Sequence, residues 1–344
     1  MTSLAQLTSM RVGGTPAALV HAQSRDALIS AAIDVWSKGE DWLILGGGSN
    51  LVVADQVPDL HVIRAENLGT VFTPVAGTNQ VLLRVQAGEN WDAVVAKTIE
   101  LGLAGLEALS GIPGSVGAAP VQNIGAYGQE VSDCLQRVEF LDYETHEASI
   151  LELADLQLGY RDSVFKRGRL GVVTWVEFLL EDHGGLSKPI ASTQLAAALN
   201  TPMGEQAPLN QIRQAVIALR SAKGMVLDEN DPNSVSCGSF FTNPIVSDRF
   251  ARSLPEDAPR WETPEDDGLT VKLSAAWLIE ASGIPKGFSL PGSAAAISSK
   301  HTLAITNRGG ATSLQIMQLA EFVQIQVANR FGVNLVPEPN LIGF

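Results

Sequence analysis

The sequence predicts an α+β protein built from more than one unit, and three observations predict it. A strand, a helix and a second strand follow one another near the N-terminus as a βαβ-like unit ending in a glycine loop. From about residue 81 to 180, strands alternate with few helices. The chain has 344 residues, 45% of them hydrophobic, which gives room for two or three cores.

The elements read in order as follows. Ala17-Ala-Leu-Val-His-Ala is a strand, and Ser24 offers an N-cap before Leu28, Ile29, Ala32, Ile33 and Trp36 recur at helical spacing. Lys38-Gly39 closes that helix, and Trp42-Leu-Ile-Leu is a short buried strand running into Gly46-Gly47-Gly48-Ser49-Asn50. This loop is no dinucleotide fingerprint, because Leu51 stands where the third glycine belongs, and no P-loop lysine follows. It still offers a row of backbone N–H groups, the Ser49 hydroxyl and the Asn50 amide, enough donors to hold a pyrophosphate without a cation. A plain strand-to-turn connection fits the same residues.

Val81-Leu-Leu-Arg-Val-Gln-Ala-Gly has strand character, and Asp92 to Leu101 gives a helix ended by Gly102. The stretch from Ser110 to Gly128 follows, rich in glycine yet almost free of charge. Glycines at 111, 114, 117, 125 and 128 let the backbone take positive φ and approach a ligand closely. Ile112, Val116, Val121 and Ile124 stand where a solvated linker would carry Ser, Lys or Glu. Two readings remain for the stretch: an ordered, buried loop holding something large, or a tight set of turns inside a β-rich domain.

Strands are expected near Arg137–Asp142 and Val172–Leu180, on either side of Leu158-Gly-Tyr-Arg-Asp-Ser-Val-Phe-Lys. Gly184 to Pro208 reads as a connecting loop leading into a helix at Leu209–Arg220, and Met225–Cys237 as an exposed loop. Acidic, Pro-rich residues 255–268 form a surface excursion before a helix at Leu273–Ser282. Thr302–Thr306 reads as a strand and Ser313–Arg330 as the last helix, stopped by Gly332. Near the end, Glu338 lies between two prolines that fix the backbone, although the local sequence alone favours a solvated tail carboxylate.

Charge and cysteine usage narrow the function classes. With 23 basic against 37 acidic side chains, net −14, neither nucleic acid nor an anionic membrane is the expected partner. Any phosphate must be met by a local cationic pocket. Cys134 and Cys237 lie far apart without metal-ligand spacing, so neither a disulfide framework nor a metal site is expected, and a reducing cytoplasm fits. Met1–Met10 lacks signal-peptide character, and no apolar run approaches the roughly 20 residues of a membrane helix.

Taken together, these stretches resemble the UDP-N-acetylenolpyruvoylglucosamine reductase family, flavoenzymes of bacterial peptidoglycan precursor synthesis. The match covers almost the whole chain. In family order stand Arg11-Val-Gly-Gly-Thr-Pro, Leu45-Gly-Gly-Gly-Ser-Asn, Ser110 to Gly128, Gly159-Tyr-Arg-Asp-Ser-Val-Phe-Lys166, Gly238-Ser-Phe-Phe-Thr-Asn-Pro244, Lys286-Gly287 and Pro-Glu-Pro. The resemblance implies a two-lobed FAD-binding domain of the vanillyl-alcohol-oxidase type followed by an α+β substrate-binding domain. Its lobes would span 1–68, joined by the tail 331–344, and 69–220; the substrate domain would span 221–330.

FAD would be held by Gly46, Gly47, Gly48, Ser49 and Asn50 and by Ser110, Gly111, Ile112, Pro113, Gly114, Ser115, Gly117, Ala118, Gln122, Asn123, Ile124, Gly125, Ala126, Tyr127 and Gly128. No His or Cys occurs in either stretch, so the FAD is expected to be non-covalent. By resemblance, NADPH reduces FAD, and the reduced flavin delivers hydride to the enolpyruvyl double bond of the UDP-sugar. Arg161 would face the substrate carboxylate, Ser239 would donate the proton, and Glu338 would work with Arg161 at the intermediate.

Tyr160 would lie against substrate, and Lys223 would favour the serine alkoxide. Lys286 and Asn243 would meet the diphosphate, with Lys223 or Arg220 adding charge. Read singly, Tyr160 is a strand tyrosine, Arg161 a surface cation and Ser239 a turn residue. Three departures stand out: Trp261 falls where some relatives carry a Tyr, Lys188–Leu199 lacks the Tyr of the longer members, and the loop before Ser239 is longer than in some relatives. The chain has no second dinucleotide fingerprint, so NADPH and sugar are expected to share one site in turn, with ping-pong kinetics. An oxygen-using flavin oxidase and a non-enzymatic nucleotide-sugar binder are the rival readings. No obligate protein partner is expected.

Overall fold

A computed structural model describes residues 2–262 and 269–344. The first strands, Ala18–Ala22 and Trp42–Leu45, flank His61–Ala65, and both pairings are parallel. Parallel neighbours need a crossover. The first crossover carries the helix Arg25–Ser37, whose N-terminus is capped by the Ser24 side chain accepting from the Ala27 N–H. Leu28, Ala32, Val35 and Trp36 form its buried stripe. This matches the predicted spacing except that Val35 takes the deep position and Ile29 and Ile33 are only partly buried.

The second sheet is antiparallel, in the order Ala148–Glu152, Leu135–Asp142, Gly171–Asp182, Gln80–Gln86, Thr70–Pro74, with Leu103–Ala104 pairing the end of the central strand. Val172 to Phe178 are buried without interruption, as a strand covered on both faces requires. The helix Trp91–Glu100 covers this sheet, and the Asn90 side chain caps it by accepting from the Ala93 N–H.

The C-terminal region gathers helices Ala275–Ala281 and Ser313–Phe331, the hairpin Ala295–Ile297 with Ile305–Asn307, and the small sheet of Ile245–Ser247, Thr270–Leu273 and Arg260–Glu262. Its core also contains Met10, Val12 and Val52 from the start of the chain. The tail strand Asn340–Ile342 runs parallel to Leu51–Val53. Both ends of the sequence are thereby tied across the molecule, which brings the first glycine loop to the C-terminal region.

Three expectations need correction. The stretch Gly184–Pro208 is not a plain loop: Ser192 caps a helix at Thr193–Leu199, and Leu195 and Ala196 pack it onto the helix Leu209–Ala222. The loop Met225–Cys237 is not exposed throughout, since Ser234, Val235, Ser236 and Cys237 are buried and the Cys237 thiol donates to the Leu51 carbonyl. The strand expected at Thr302–Thr306 forms over Ile305–Asn307, where Ala295–Ile297 supplies a partner. Of the excursion at 255–268, residues 260–262 form a strand, and 263–268 lie outside the described residues. Among the described residues no helix is long and apolar enough to cross a membrane.

Candidate active site

The two glycine stretches face each other. A Cβ on Gly47 would stand 2.6 Å from the Gly114 Cα, and one on Gly46 would stand 2.2 Å from the Ser115 Oγ. Glycine is therefore required for the two backbones to meet at this distance. The Ser49 hydroxyl donates to the Pro113 carbonyl at 2.9 Å, and the Asn50 amide donates to Gln122 Oε1 at 2.7 Å, so both side chains latch one loop to the other.

A cavity of about 220 Å³ runs between the loops, walled by Gly46 to Asn50, Ile112 to Ser115, Ala118, Gln122 and Ile124. It shares Gly46, Ser115 and Ala118 with a cavity of about 530 Å³ that carries Trp42, Phe140, Tyr143 and Phe165 in its wall. At the other end it shares Ile112, Gln122 and Ile124 with a cavity of about 780 Å³.

Not every predicted cradle residue faces this space. The Ser110 hydroxyl donates to the Glu107 carbonyl, and the Gly111 N–H donates to Asp92, which pairs with Arg213 at 2.7 Å. Asn123, in the left-handed region at φ 45°, donates its amide to Glu130 and to the Gly159 carbonyl. These three brace the cradle from behind.

The 780 Å³ cavity brings together Arg161, Ser239 and Glu338. Gly159 and Asp162 bridge each other in a tight turn with Tyr160 and Arg161 at its tip. Arg161 takes φ 53°, an unusual value for a residue with a Cβ. Its guanidinium donates to the Gly125 carbonyl at 2.6 Å and lies 3.2 Å from Glu338 Oε1.

The solvated-tail reading of Glu338 does not hold. Its N–H donates to the Phe240 carbonyl, Pro337 bridges Phe241, and its side chain is 13% exposed. Burial pushes the Glu338 pKa up, against the opposing pull of Arg161 and Lys166. The same pairing fixes Ser239, which sits between Gly238 at φ 76° and the fully buried Phe240 and Phe241. The Ser239 hydroxyl has no hydrogen-bond partner among the described residues.

Cations line the remaining wall. Lys223, at the end of the helix Leu209–Ala222, donates to Gln194 and lies 5.7 Å from the Tyr127 ring centroid; burial first, then Arg220, holds its pKa below the usual lysine range. Arg220 donates to the Met225 carbonyl, while its buried Nε has no partner among the described residues. Asn243 lines the cavity and accepts from the Ala275 N–H. Lys286 is exposed and does not line the cavity.

Sequence reasoning missed Lys272, whose ammonium lies 4.5 Å from the Tyr160 ring centroid, and His301, both in the wall. Burial, then Lys223 and Lys286, pushes His301 down to about 4. It missed Lys166 as a separate residue, although the motif ending at Lys166 carried the signal. Trp261 does stand in the wall, and where Lys188–Leu199 lacks a Tyr, Ala191, Ser192, Thr193 and Gln194 line the cavity.

The three cavities share wall residues and run into one another, giving together the volume that a dinucleotide and a second ligand need, and the glycines let the two loops close on each other along that run. Comparison with known proteins agrees. A family described as "FAD binding domain" matches residues 16–147, and one described as "UDP-N-acetylenolpyruvoylglucosamine reductase, C-terminal domain" matches residues 231–342. The chain is 54% identical to the UDP-N-acetylenolpyruvoylglucosamine reductase of Leifsonia xyli subsp. xyli, over 99% of this chain and 98% of that one. It is 47% identical to that of Saccharopolyspora erythraea, over 99% and 94%. The crystal structure of UDP-N-acetylenolpyruvylglucosamine reductase from Thermus caldophilus shares the fold, with a TM-score of 0.65 at 24% identity over 99% of this chain and 97% of that one. With two α+β family domains in this order and close relatives along its full length, the chain belongs to the UDP-N-acetylenolpyruvoylglucosamine reductase family.

Proposed function

We propose that this protein uses NADPH and non-covalent FAD to reduce the enolpyruvyl group of UDP-N-acetylglucosamine enolpyruvate, giving UDP-N-acetylmuramate in the cytoplasm. The observation that carries the proposal is the meeting of Arg161, Glu338 and Ser239 in a cation-lined cavity continuous with the glycine-walled channel. Residues 1–68 with the tail 331–344, and 69–220, serve as the lobes that hold FAD, and 221–330 as the substrate domain. When bound, FAD supplies hydride transfer from NADPH to the methylene carbon of the substrate double bond.

The residues of the chain handle the charge and the proton. As hydride arrives, the electron pair of the double bond moves onto the neighbouring carbon and its carboxylate, where the Arg161 guanidinium opposes it. Glu338, whose pKa burial raises, holds a proton there more readily than an exposed carboxyl and avoids placing a second negative charge beside the substrate. Ser239 gives its proton to the carbon bearing the carboxylate, and Lys223 favours the alkoxide left behind. Arg220, Lys223 and Asn243 receive the diphosphate, Lys286 adds charge from outside the cavity wall, and Tyr160 lies against the substrate.

NADPH and the sugar use the same space in turn, so double-reciprocal plots are parallel. The oxidase reading is disfavoured because Ser239 and Glu338 meet Arg161 in one cavity, an arrangement suited to protonating a carbon beside a bound carboxylate. The rival without catalysis, a nucleotide-sugar binder, is separated by colour. The purified protein, reconstituted with FAD if needed, is expected to show a flavin absorption band; a protein that takes up no FAD overturns the proposal.

A further inference from the structure

Glu338 is held at both ends by one short segment. Arg161 meets its carboxylate at 3.2 Å, and Lys166, five positions on in the same motif, donates from Nζ to its backbone carbonyl at 3.0 Å. The Asn50 amide of the first glycine loop donates to the same carbonyl at 3.3 Å while also holding Gln122. The Glu338 N–H is taken by the Phe240 carbonyl, next to Ser239. An ammonium directed at a single backbone carbonyl is a strong, charge-assisted contact, and here it sits on the wall of the channel between the glycine loops.

Lys166 is itself fixed, since its N–H donates to the Ser163 hydroxyl and Ser163 donates to the Val121 carbonyl. The groups that act electrostatically on the Glu338 carboxyl or feel its charge are Arg161, Lys166 and Tyr160 from the 158–166 segment and Cys237 from the segment that carries Ser239. Beyond them, Glu130 lies 4.0 Å from Arg161, and Asp162 acts on Lys166. Among these, Arg161 and Lys166 are the cations, and Arg161 is engaged with the reacting carboxylate in the proposed mechanism.

We propose that Lys166 is the positioning residue for Glu338: its ammonium fixes the Glu338 backbone against the cofactor loop and brings a second positive charge to that residue. The inference rests on the catalytic reading of Glu338 given above. It deepens that reading by joining the cofactor loop, through Asn50 and Lys166, to the carboxyl that faces the substrate.

The test compares Lys166→Met, Lys166→Gln and Lys166→Arg in the full chain. In the holoenzyme, Lys166→Met is expected to lower the rate at which the enolpyruvyl sugar reoxidises reduced flavin by about 10- to 100-fold, the scale of a misplaced reacting group. KM for the sugar is expected to stay within about threefold, and Lys166→Arg to restore most of the rate. Independently of activity, protein labelled with ¹³C at the glutamate carboxyls is titrated, with Glu338→Gln identifying the Glu338 signal. Lys166→Met and Lys166→Gln are expected to move that midpoint upward, and Lys166→Arg to leave it in place.

Lys166→Gln keeps a donor for the carbonyl and drops only the charge, so it carries the test if the Met variant fails to fold. An unmoved midpoint in Lys166→Gln, or full reoxidation in a folded Lys166→Met, overturns the inference. Full reoxidation in Glu338→Gln overturns instead the catalytic reading on which it rests.

Discussion

Arg161 carries a positive φ of 53°, a bond to the Gly125 carbonyl and a 3.2 Å contact with Glu338, three constraints on where its guanidinium points. None of these is visible in the residue itself. Arg161, Ser239 and Glu338 were legible only as members of an ordered motif set, because their meeting depends on the tail lying beside Phe240–Thr242, a tertiary contact with no local signal. Lys272 and His301 stayed illegible for the same reason.

If Ser239 is the acid, Ser239→Ala still lets NADPH bleach the flavin but slows reoxidation by the enolpyruvyl sugar by about 100-fold or more, as stopped-flow absorbance would record. Unchanged reoxidation removes Ser239 from that role. His301 gives a second check. Its folded pKa lies near 4 against 6.5 for the free group, so the unfolded chain binds the proton more tightly. Stability from this group is present above about 6.5 and lost as pH falls toward 4. His301→Gln is expected to lose less in Tm between pH 7 and 4.5 than the parent; equal losses contradict the account.

At the scale of elements, capped and strongly periodic segments were legible. Ser24 announces the helix Arg25–Ser37, and Gly332 ends Ser313–Phe331 in the left-handed conformation, at φ 69°. The helix Thr193–Leu199 was missed because a short Ala-rich segment has little periodicity and forms by packing on its neighbour. Strand Thr70–Pro74 is largely exposed and is set by pairing with Gln80–Gln86, so composition gives it no signature.

The glycine loops were expected, by resemblance, to hold FAD, whereas their mutual latching through Ser49 and Asn50 required the structure. That latching makes Gly47 a sharp test. A methyl at Gly47 meets the Gly114 backbone, and overpacking of this kind costs about 1–3 kcal/mol, or roughly 10- to 100-fold in FAD affinity if the loops separate. Gly47→Ala is therefore expected to fold, by circular dichroism, and to lose flavin on dilution; undiminished flavin retention contradicts the packing argument.

For the whole molecule, the net charge of −14 and the cationic cavity belong to one design: the surface repels polyanions in general while Arg161, Arg220, Lys223 and Lys272 collect in one recess. Composition required such a recess for any phosphate-bearing ligand, but its assembly from the first glycine loop, the 158–166 turn, the helix ending at Lys223 and the C-terminal tail follows from how the chain ends are tied together. The most direct test of that assembly is anaerobic. Reduced by one equivalent of NADPH, the flavin band should bleach; adding the enolpyruvyl UDP-sugar without oxygen should restore it and yield one equivalent of UDP-N-acetylmuramate. A flavin that stays reduced after the sugar is added, and recovers only when oxygen enters, would contradict the account.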